Sequence, residues 1–170
     1  MLDITSICIR VARDFPGVAR EAAKIHGSIL IIGAPGWGKT TLLRDLARIK
    51  AEKDTVCVAD ERCELFPDGI ARGKRMDVIS GCPKSVAVEQ LLRTMGPAYI
   101  AVDEITARED CEALLRASNC GVNLIATAHG TTLEDYMEST TYRPLQEHGV
   151  FSSLIFLRKN KTFRIEGIRQ

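Results

Sequence analysis

The sequence lacks the features that mark membrane and secreted proteins. No apolar run in its 170 residues approaches the roughly 20 residues that span a bilayer. Charged residues interrupt the apolar stretch at the start of the sequence, a pattern that argues against a secretory signal. The six cysteines form no Cys-x-x-Cys pair, so we interpret them as reduced, mostly buried cysteines, with a zinc site as the minority alternative. We therefore expect a cytoplasmic protein.

An excess of charge of one sign is also absent. The formal net charge is +1, so bulk charge gives no reason to expect direct binding of nucleic acid or of an anionic membrane. Repeats, low-complexity tracts and Ser/Gly linkers are missing as well. Apolar residues make up 45% of the chain and charged residues 26%, which is ordinary for a globular domain with a single core.

The first 27 residues are predicted to be a helical segment that leads into the main domain, residues 28–170. Apolar residues recur with helical spacing over residues 3–24, and Pro16-Gly17 should break or kink this helix. The candidate core positions of the segment are Ile7, Val11, Val18 and Ala22.

From residue 28 the apolar pattern alternates between strands and helices. Strands are predicted at 28–32, 55–59, 98–102 and 122–127, with helices up to residue 50 and over 83–95 and 108–118. Residues 60–81 are polar and are predicted to form a long irregular excursion. Two short helices (133–138 and 144–148) and a terminal hairpin (151–157 and 162–168) complete the chain. Such alternation implies a mainly parallel sheet that is covered on both faces, the α/β class.

A phosphate-binding loop follows the first predicted strand. Residues 33–40, Gly-Ala-Pro-Gly-Trp-Gly-Lys-Thr, fit the pattern G-x-x-x-x-G-K-[ST] between a strand and an amphipathic helix, and this context makes an accidental match improbable. In such loops backbone N–H groups and the positive end of the next helix bind phosphate oxygens. Lys39 should reach the β- and γ-phosphates and the Thr40 hydroxyl should coordinate Mg²⁺. The predicted nucleotide-binding residues are Gly33, Ala34, Pro35, Gly36, Trp37, Gly38, Lys39, Thr40 and Thr41.

Two adjacent acids follow the strand at 98–102. Ligands of parallel sheets bind outside the carboxyl ends of the strands, so Asp103 should reach the edge that carries the phosphate loop and support Mg²⁺ there. Glu104 could polarise a water molecule for attack on the γ-phosphate. The alternative is that both acids only cap the next helix. A second acid is of less use to a kinase, so the pair favours hydrolysis over phosphate transfer.

Two further polar clusters should end at the same edge of the sheet. The second strand ends in Asp-Glu-Arg-Cys-Glu (60–64), and the fourth ends in Thr-Ala-His-Gly (127–130). Glu61 and Glu64 are candidate ligands of metal-bound water. His129 is a candidate γ-phosphate contact, with a surface or helix-capping histidine as the alternative.

Together these segments resemble the ATPase domain of stage III sporulation protein AA, within the group of type II and type IV secretion ATPases and pilus motor ATPases. The combination of the phosphate loop with DERCE, VDEI and TAHG carries the resemblance over almost the whole chain. It implies a RecA-like P-loop core in which the His129 strand lies between the phosphate-loop strand and the Asp103 strand. It also implies that residues 60–64 and 127–130 match the acidic and histidine boxes of the group.

The resemblance further implies a homo-oligomeric ring, commonly a hexamer, with ATP at the subunit boundaries and a peripheral place at the membrane through a sporulation or secretion complex. An arginine from a neighbouring subunit would complete each site. The candidates are Arg72 and Arg75, with Arg62 and Arg108 as rivals, and each could equally be a solvated surface arginine. Family members usually carry a sizeable N-terminal domain before this core, whereas this phosphate loop begins about 30 residues into the sequence.

Three functions remain open at this stage. The first is a Mg-dependent ATPase that couples ATP binding and hydrolysis to a membrane-associated channel or secretion complex. The second is a stand-alone nucleoside triphosphatase or small-molecule kinase. The third is an ATP-binding scaffold that does not hydrolyse ATP, against which the complete set of Lys39, Thr40, Asp103 and Glu104 argues.

Overall fold

A seven-stranded sheet with helices on both faces forms the protein. The structure is a computed structural model that describes residues 5–7 and 13–168. The strands are β1 (Ile29–Ile32), β2 (Val56–Asp60), β3 (Met76–Ser80), β4 (Tyr99–Val102), β5 (Asn123–Ala128), β6 (Ser153–Leu157) and β7 (Phe163–Gly167). The helices are α1 (Lys39–Lys50), α2 (Lys84–Met95), α3 (Arg108–Asn119), α4 (Leu133–Met137) and α5 (Arg143–Glu147), with a 3₁₀ turn at Ala22–Lys24. None of the helices in the described part of the chain is long and apolar enough to cross a membrane.

The strand order is β3-β2-β4-β5-β1-β6-β7. Every neighbouring pair is parallel except β6 and β7, which are antiparallel and form the C-terminal hairpin. The predictions of an α/β class, a mainly parallel sheet and a terminal hairpin are therefore confirmed. β5 lies between β1 and β4, which is the strand order that the resemblance implied.

The central strands are apolar throughout because both of their faces are buried. Leu30 and Ile32 of β1 belong to a core cluster that includes residues of α2 and α3. Ile29 and Ile31 point the other way, into a second cluster that includes α1. Successive strand side chains alternate between faces, so a run such as Ile-Leu-Ile-Ile supplies both layers of the core at once.

The prediction that residues 60–81 are wholly irregular is wrong, since they contain β3. This strand pairs along its length with β2, from Met76 opposite Val56 to Ser80 opposite Asp60. β3 lies at the edge of the sheet, and none of its side chains is fully buried. The continuous apolar run that identifies the central strands is therefore missing from it.

The helix predicted over residues 3–24 is absent from its described part. Turns occupy residues 16–21, and only the single 3₁₀ turn follows. The break expected at Pro16-Gly17 is present, with Gly17 at a φ of 92°. The buried carboxylate of Asp45 on α1 accepts the N–H groups of Gly17 and Ala19 at 2.9 and 2.8 Å. A side chain of α1 therefore holds this segment in a turn conformation instead of a helix.

The core positions predicted for that segment are only partly confirmed. Ala22 is fully buried, but Val18 is 45% exposed and Ile7 is 77% exposed. Val11 lies outside the described residues, because residues 1–4 and 8–12 are not among them.

The described residues include five of the six cysteines, all as free thiols; Cys8 lies outside them. Cys57 and Cys111 are buried as expected, but Cys63 and Cys120 are exposed, so the expectation of buried cysteines is wrong for these two. Burial raises the pKa of the Cys57 and Cys111 thiols to about 11. Within this part of the chain no group of three or more His, Cys, Asp and Glu side chains could hold a metal ion.

Candidate functional site

A cavity of about 780 Å³ opens at the carboxyl ends of β1, β4 and β5. The phosphate loop, residues 33–38, follows β1 and forms one wall, while the residues after β4 and β5 bring Asp103, Glu104 and His129 to the same space. This convergence follows because β1, β4 and β5 are parallel and therefore end at the same edge of the sheet.

The phosphate loop leads directly into an uncapped helix N-terminus. Gly36 and Gly38 have φ values of 74° and 103°, a region that side chains other than glycine rarely enter. α1 begins at Lys39 without a side-chain cap and without an acidic residue in its first turn. Its first backbone N–H groups and the positive end of its dipole are therefore available to an anion.

The nine predicted nucleotide-binding residues divide into two groups. Seven consecutive residues, Pro35 to Thr41, line the cavity. Gly33 and Ala34 contribute carbonyl groups instead, which accept hydrogen bonds from the Lys39 ammonium at 2.8 and 3.3 Å. Trp37 lines the cavity and also packs against the second core cluster.

The ammonium group of Lys39 lies at the centre of the site. The Lys39 side chain is buried at 8% exposure, and its Nζ atom is 3.4 Å from Nδ1 of His129. Burial lowers the pKa of Lys39, although the negative charges of Asp103 and Glu104 raise it in part. An anionic ligand would supply the negative charge that favours the protonated form.

Asp103 joins the helix after the phosphate loop to β5. One carboxylate oxygen accepts the hydroxyl of Thr40 at 2.8 Å, and the other accepts the hydroxyl of Thr127 at 2.6 Å. Thr127 is fully buried, and its hydroxyl oxygen also accepts the backbone N–H of Glu104 at 2.7 Å. The sequence predicted the meeting of Thr40 and Asp103 but assigned no role to Thr127.

Glu104 occupies a strained backbone position and contacts a histidine and an arginine. Its φ is 53°, a conformation that is uncommon for a residue other than glycine. Its carboxylate is 2.7 Å from Nε2 of His129 and accepts a hydrogen bond from Arg62 at 3.2 Å. Burial raises the pKa of Glu104, but the hydrogen bond with His129 and the charges of His129, Arg62 and Lys39 outweigh it and lower the pKa overall. Glu104 is therefore an ionised acceptor at neutral pH.

The acidic turn after β2 is built around the first of its carboxylates. Asp60 is 2% exposed and accepts the backbone N–H groups of Glu64, Leu65 and Phe66 at 2.9, 3.0 and 3.1 Å. Its hydrogen-bonding capacity is thus used inside the turn. Glu64, carried at the end of this turn, lines the main cavity as predicted from its strand.

Glu61 is bound by a lysine of α2. Its carboxylate accepts a hydrogen bond at 2.5 Å from Lys84, the buried first residue of α2, and Lys84 is also 3.7 Å from Asp110 of α3. Glu61 does not line the main cavity but a much smaller one of about 20 Å³ that adjoins it, since Glu64, Asp103 and Glu104 border both. The two glutamates predicted together therefore share the small cavity, but only Glu64 also lines the main one, while Lys84 binds Glu61.

Residues from both ends of the chain line the cavity without having been predicted there. Arg13, Phe15 and Val18 come from the segment held by Asp45, and Lys161 and Phe163 come from the β6–β7 hairpin. The Lys161 ammonium donates a hydrogen bond to the carbonyl of Gly36. The basic run at 158–161 was the available signal, but it is equally typical of a solvated hairpin tip.

The four arginines considered for a neighbouring subunit have different surroundings. Arg62 contacts Glu104 of its own chain and lines the cavity. Arg75 donates to the carbonyl of Lys53, and Arg108 pairs with Glu112 at 3.0 Å on the exposed face of α3. Within one chain, only Arg62 of these three therefore faces the candidate site.

The oxygen donors of the site suit magnesium. Mg²⁺ prefers oxygen ligands and usually keeps several waters while one or two protein groups and the substrate phosphates bind it. A threonine hydroxyl and a carboxylate that already meet at 2.8 Å beside the phosphate loop match this small protein contribution.

Solved structures of secretion ATPases share the fold. The ATPase DotB of Legionella pneumophila matches 89% of this chain with a TM-score of 0.64 and 21% identity, and this chain covers 47% of DotB. The VirB11 ATPase of the Brucella suis type IV secretion system, solved with sulphate, matches 87% with a TM-score of 0.65 and 17% identity, and 49% of it is covered. The chain thus has the RecA-like core of the secretion ATPases.

The sequence comparisons are more specific. The family model of sporulation stage III, protein AA matches residues 1–170, so the chain belongs to the sporulation stage III protein AA family. Stage III sporulation protein AA of Bacillus subtilis (strain 168) is 38% identical over 175 residues, which are 94% of this chain and 57% of the relative. The chain therefore spans little more than half the length of that relative.

Proposed function

We propose that the chain is a Mg-dependent ATP hydrolase of the secretion-motor type. The observation that supports it best is the meeting of three elements around one cavity: the phosphate loop, the Thr40–Asp103 pair and the Glu104 carboxylate. A scaffold that only bound Mg-ATP would need the first two of these but not a carboxylate that can orient water. Membership of the sporulation family and the fold of the secretion ATPases support the same conclusion.

Each residue has a role that follows from its contacts. Lys39 and the N–H groups at the start of α1 bind the phosphate chain, because both present positive charge to the cavity. Thr40 and Asp103 would hold Mg²⁺, which would supply charge neutralisation at the phosphates. Glu104, ionised and fixed by its backbone bond to Thr127, would orient a water molecule.

His129 and Arg62 would act through Glu104. His129 lies between Glu104 and Lys39, with its two ring nitrogens 2.7 and 3.4 Å from them, which supports a role for it in registering a γ-phosphate and in holding the carboxylate. Arg62 binds the other oxygen of Glu104 at the mouth of the cavity. Glu61 has no direct role in this proposal because Lys84 binds it outside the main cavity.

The proposed motor works as an oligomer with a membrane-associated partner complex. The support is the family itself and the name of the VirB11 neighbour, an ATPase of a type IV secretion system. Arg72 and Arg75 remain candidates for completing a neighbour's site, since neither lines the cavity of its own chain.

Phosphate release from Mg-ATP tests the enzyme proposal. We expect Glu104→Gln and Lys39→Ala to lower the rate at least about a hundredfold, while Glu112→Gln, an exposed acid on α3, leaves it unchanged. Equal rates in the first two variants and the parent would contradict the proposal. ATP binding without release would favour a scaffold, and phosphate transfer to a nucleoside would favour a kinase.

Light scattering of the Glu104→Gln protein, with and without Mg-ATP, tests assembly separately. A nucleotide-dependent shift to a ring-sized species would support the motor. A monomer under every condition, with the parent still hydrolysing ATP, would leave a stand-alone triphosphatase.

A further inference from the structure

The cavity has two chemically different regions. The polar region around Lys39 and Asp103 accounts for phosphates and a cation. The remaining wall is apolar and is formed by Phe15, Val18, Trp37, Leu157 and Phe163. Phe15 and Val18 are 49% and 45% exposed, so among the residues that the structure describes this wall presents an apolar surface that is left uncovered. A triphosphate alone leaves such a surface without a function.

The tip of the β6–β7 hairpin connects the two regions. The Lys161 ammonium donates to the carbonyl of Gly36 at the crest of the phosphate loop, and the Lys161 Cδ atom lies 3.7 Å from the position that a Cβ on Gly38 would take. The aliphatic stem of Lys161 therefore runs over the loop, and its charged end is bound to it.

The conformation of the tip is fixed by its own hydrogen bonds. The backbone closes with Arg158 N–H to the Thr162 carbonyl and Lys161 N–H to the Arg158 carbonyl, both at 2.9 Å. The Asn160 side chain accepts the Thr162 N–H at 3.2 Å and hydroxyl at 2.7 Å. Lys161 has a φ of 69°, a strained value for a lysine, so the hairpin holds its side chain in a defined direction.

Phe163 is the first residue of β7 and stands two residues after Lys161. Its ring packs against the second core cluster on one side and borders the cavity on the other. An aromatic ring that is packed against the core on one side and exposed on the other is a rigid stacking surface. Such a surface suits a flat heteroaromatic ligand.

We propose that this hairpin tip is the nucleoside-binding wall of the site: Phe163 stacks on the purine base of the nucleoside triphosphate, and the Lys161 stem covers the base and ribose while its ammonium holds the phosphate loop. The inference rests on the proposed function for the presence of a nucleotide. It adds the residues that distinguish a nucleotide from a bare polyphosphate. In it, Phe163 is a specificity-determining residue, and Lys161 is both a ligand contact and a positioning residue for the loop.

The test uses two ligands that share the phosphates and differ in the nucleoside. Trp37 is the single tryptophan of the sequence and lines the cavity, so its fluorescence reports binding without any need for turnover. Mg-ATP and Mg-tripolyphosphate are titrated into the parent, Phe163→Ala, Lys161→Ala and, as a matched control from the same hairpin, Lys159→Ala, which does not line the cavity.

We expect Phe163→Ala to weaken ATP binding about tenfold, because stacking of a base on an aromatic ring is lost, while tripolyphosphate affinity stays within about twofold. Lys161→Ala should weaken ATP more than tripolyphosphate, and Lys161→Arg should restore most of the ATP affinity. Phe163→Leu, which keeps apolar volume in the core, should fall between parent and Phe163→Ala, so that a folding defect in the alanine variant does not decide the result. Lys159→Ala should match the parent for both ligands.

The inference would be overturned if Phe163→Ala and Lys161→Ala bound ATP as tightly as the parent. It would also be overturned if these variants lost equal affinity for ATP and for tripolyphosphate. A parent protein that binds ATP better than tripolyphosphate through Phe163 but releases no phosphate would support the inference and contradict only the proposed hydrolysis. A parent that binds neither ligand would contradict both.

Discussion

Replacing Asp60 with alanine is expected to destabilise the fold although Asp60 is not proposed to touch the ligand. Its carboxylate is 2% exposed and accepts three backbone N–H groups, those of Glu64, Leu65 and Phe66. Alanine would leave these donors without their acceptor. Each unsatisfied buried donor costs about 1–3 kcal/mol, and water can reach the partly exposed end of the turn, so we expect a loss of about 3 kcal/mol in total.

Chemical unfolding of Asp60→Ala beside Asp68→Ala measures this loss. Asp68 is an exposed acid of the same segment, so its replacement should change stability by less than about 0.5 kcal/mol. For a domain of this size, a loss of 3 kcal/mol corresponds to a decrease of roughly 6–12 °C in Tm. Nucleotide affinity should fall as well, because the turn carries Glu64 and Arg62 to the cavity.

Two results would refute this reasoning. If Asp60→Ala were as stable as Asp68→Ala, the three hydrogen bonds would not organise the turn. If stability were kept but Mg²⁺ dependence were lost, Asp60 would be a metal ligand and the turn would form without it.

Three further predictions follow from single contacts. Gly73→Ala should cost about 1–3 kcal/mol of stability in denaturant unfolding, because the added Cβ would lie 2.5 Å from the Cβ of Ala51, the residue after α1. Gly167→Ala is the control and should be neutral, because its Cβ would have nothing within 4 Å. His129→Ala should move the acid limb of the hydrolysis rate to higher pH, because it removes contacts that lower the pKa of Glu104 and leaves the burial that raises it; an unmoved limb would contradict this role. Lys84→Met should lower the free energy of unfolding by about 2 kcal/mol, because two carboxylates lose their buried cation; unchanged stability would show that the ion pairs contribute nothing.

The sequence predicted the parts of the fold that depend on local pattern. The β1–loop–α1 unit has both an apolar strand and a glycine motif, and its predicted bounds lie within a residue of the observed strand. Adjacent placement of Thr40 and Asp103, 63 residues apart, followed from the rule that parallel strands end at one edge. Both predictions needed only the sequence pattern and the direction of the strands.

The predictions failed where a distant side chain decides the outcome. Residues 16–21 form turns because Asp45, far along the chain, supplies a hydrogen-bond acceptor to them. Glu61 lines only the small adjoining cavity, where the buried Lys84 binds it, and a strand-end rule places a backbone without saying which way its side chain turns. Lys161 reaches the phosphate loop across 125 residues, and a basic hairpin tip gives no sign of such a contact in its composition.

The Thr127 hydroxyl has a consequence for any attempt to redesign the site. It donates to the Asp103 carboxylate and accepts the Glu104 N–H, so a single oxygen atom on β5 holds both the side chain of Asp103 and the backbone of Glu104, the two residues that follow β4. The two acids cannot be repositioned independently while that atom is present. A change in the relative placement of the proposed cation and the proposed attacking water would therefore have to begin on β5, on a strand that contributes neither acid.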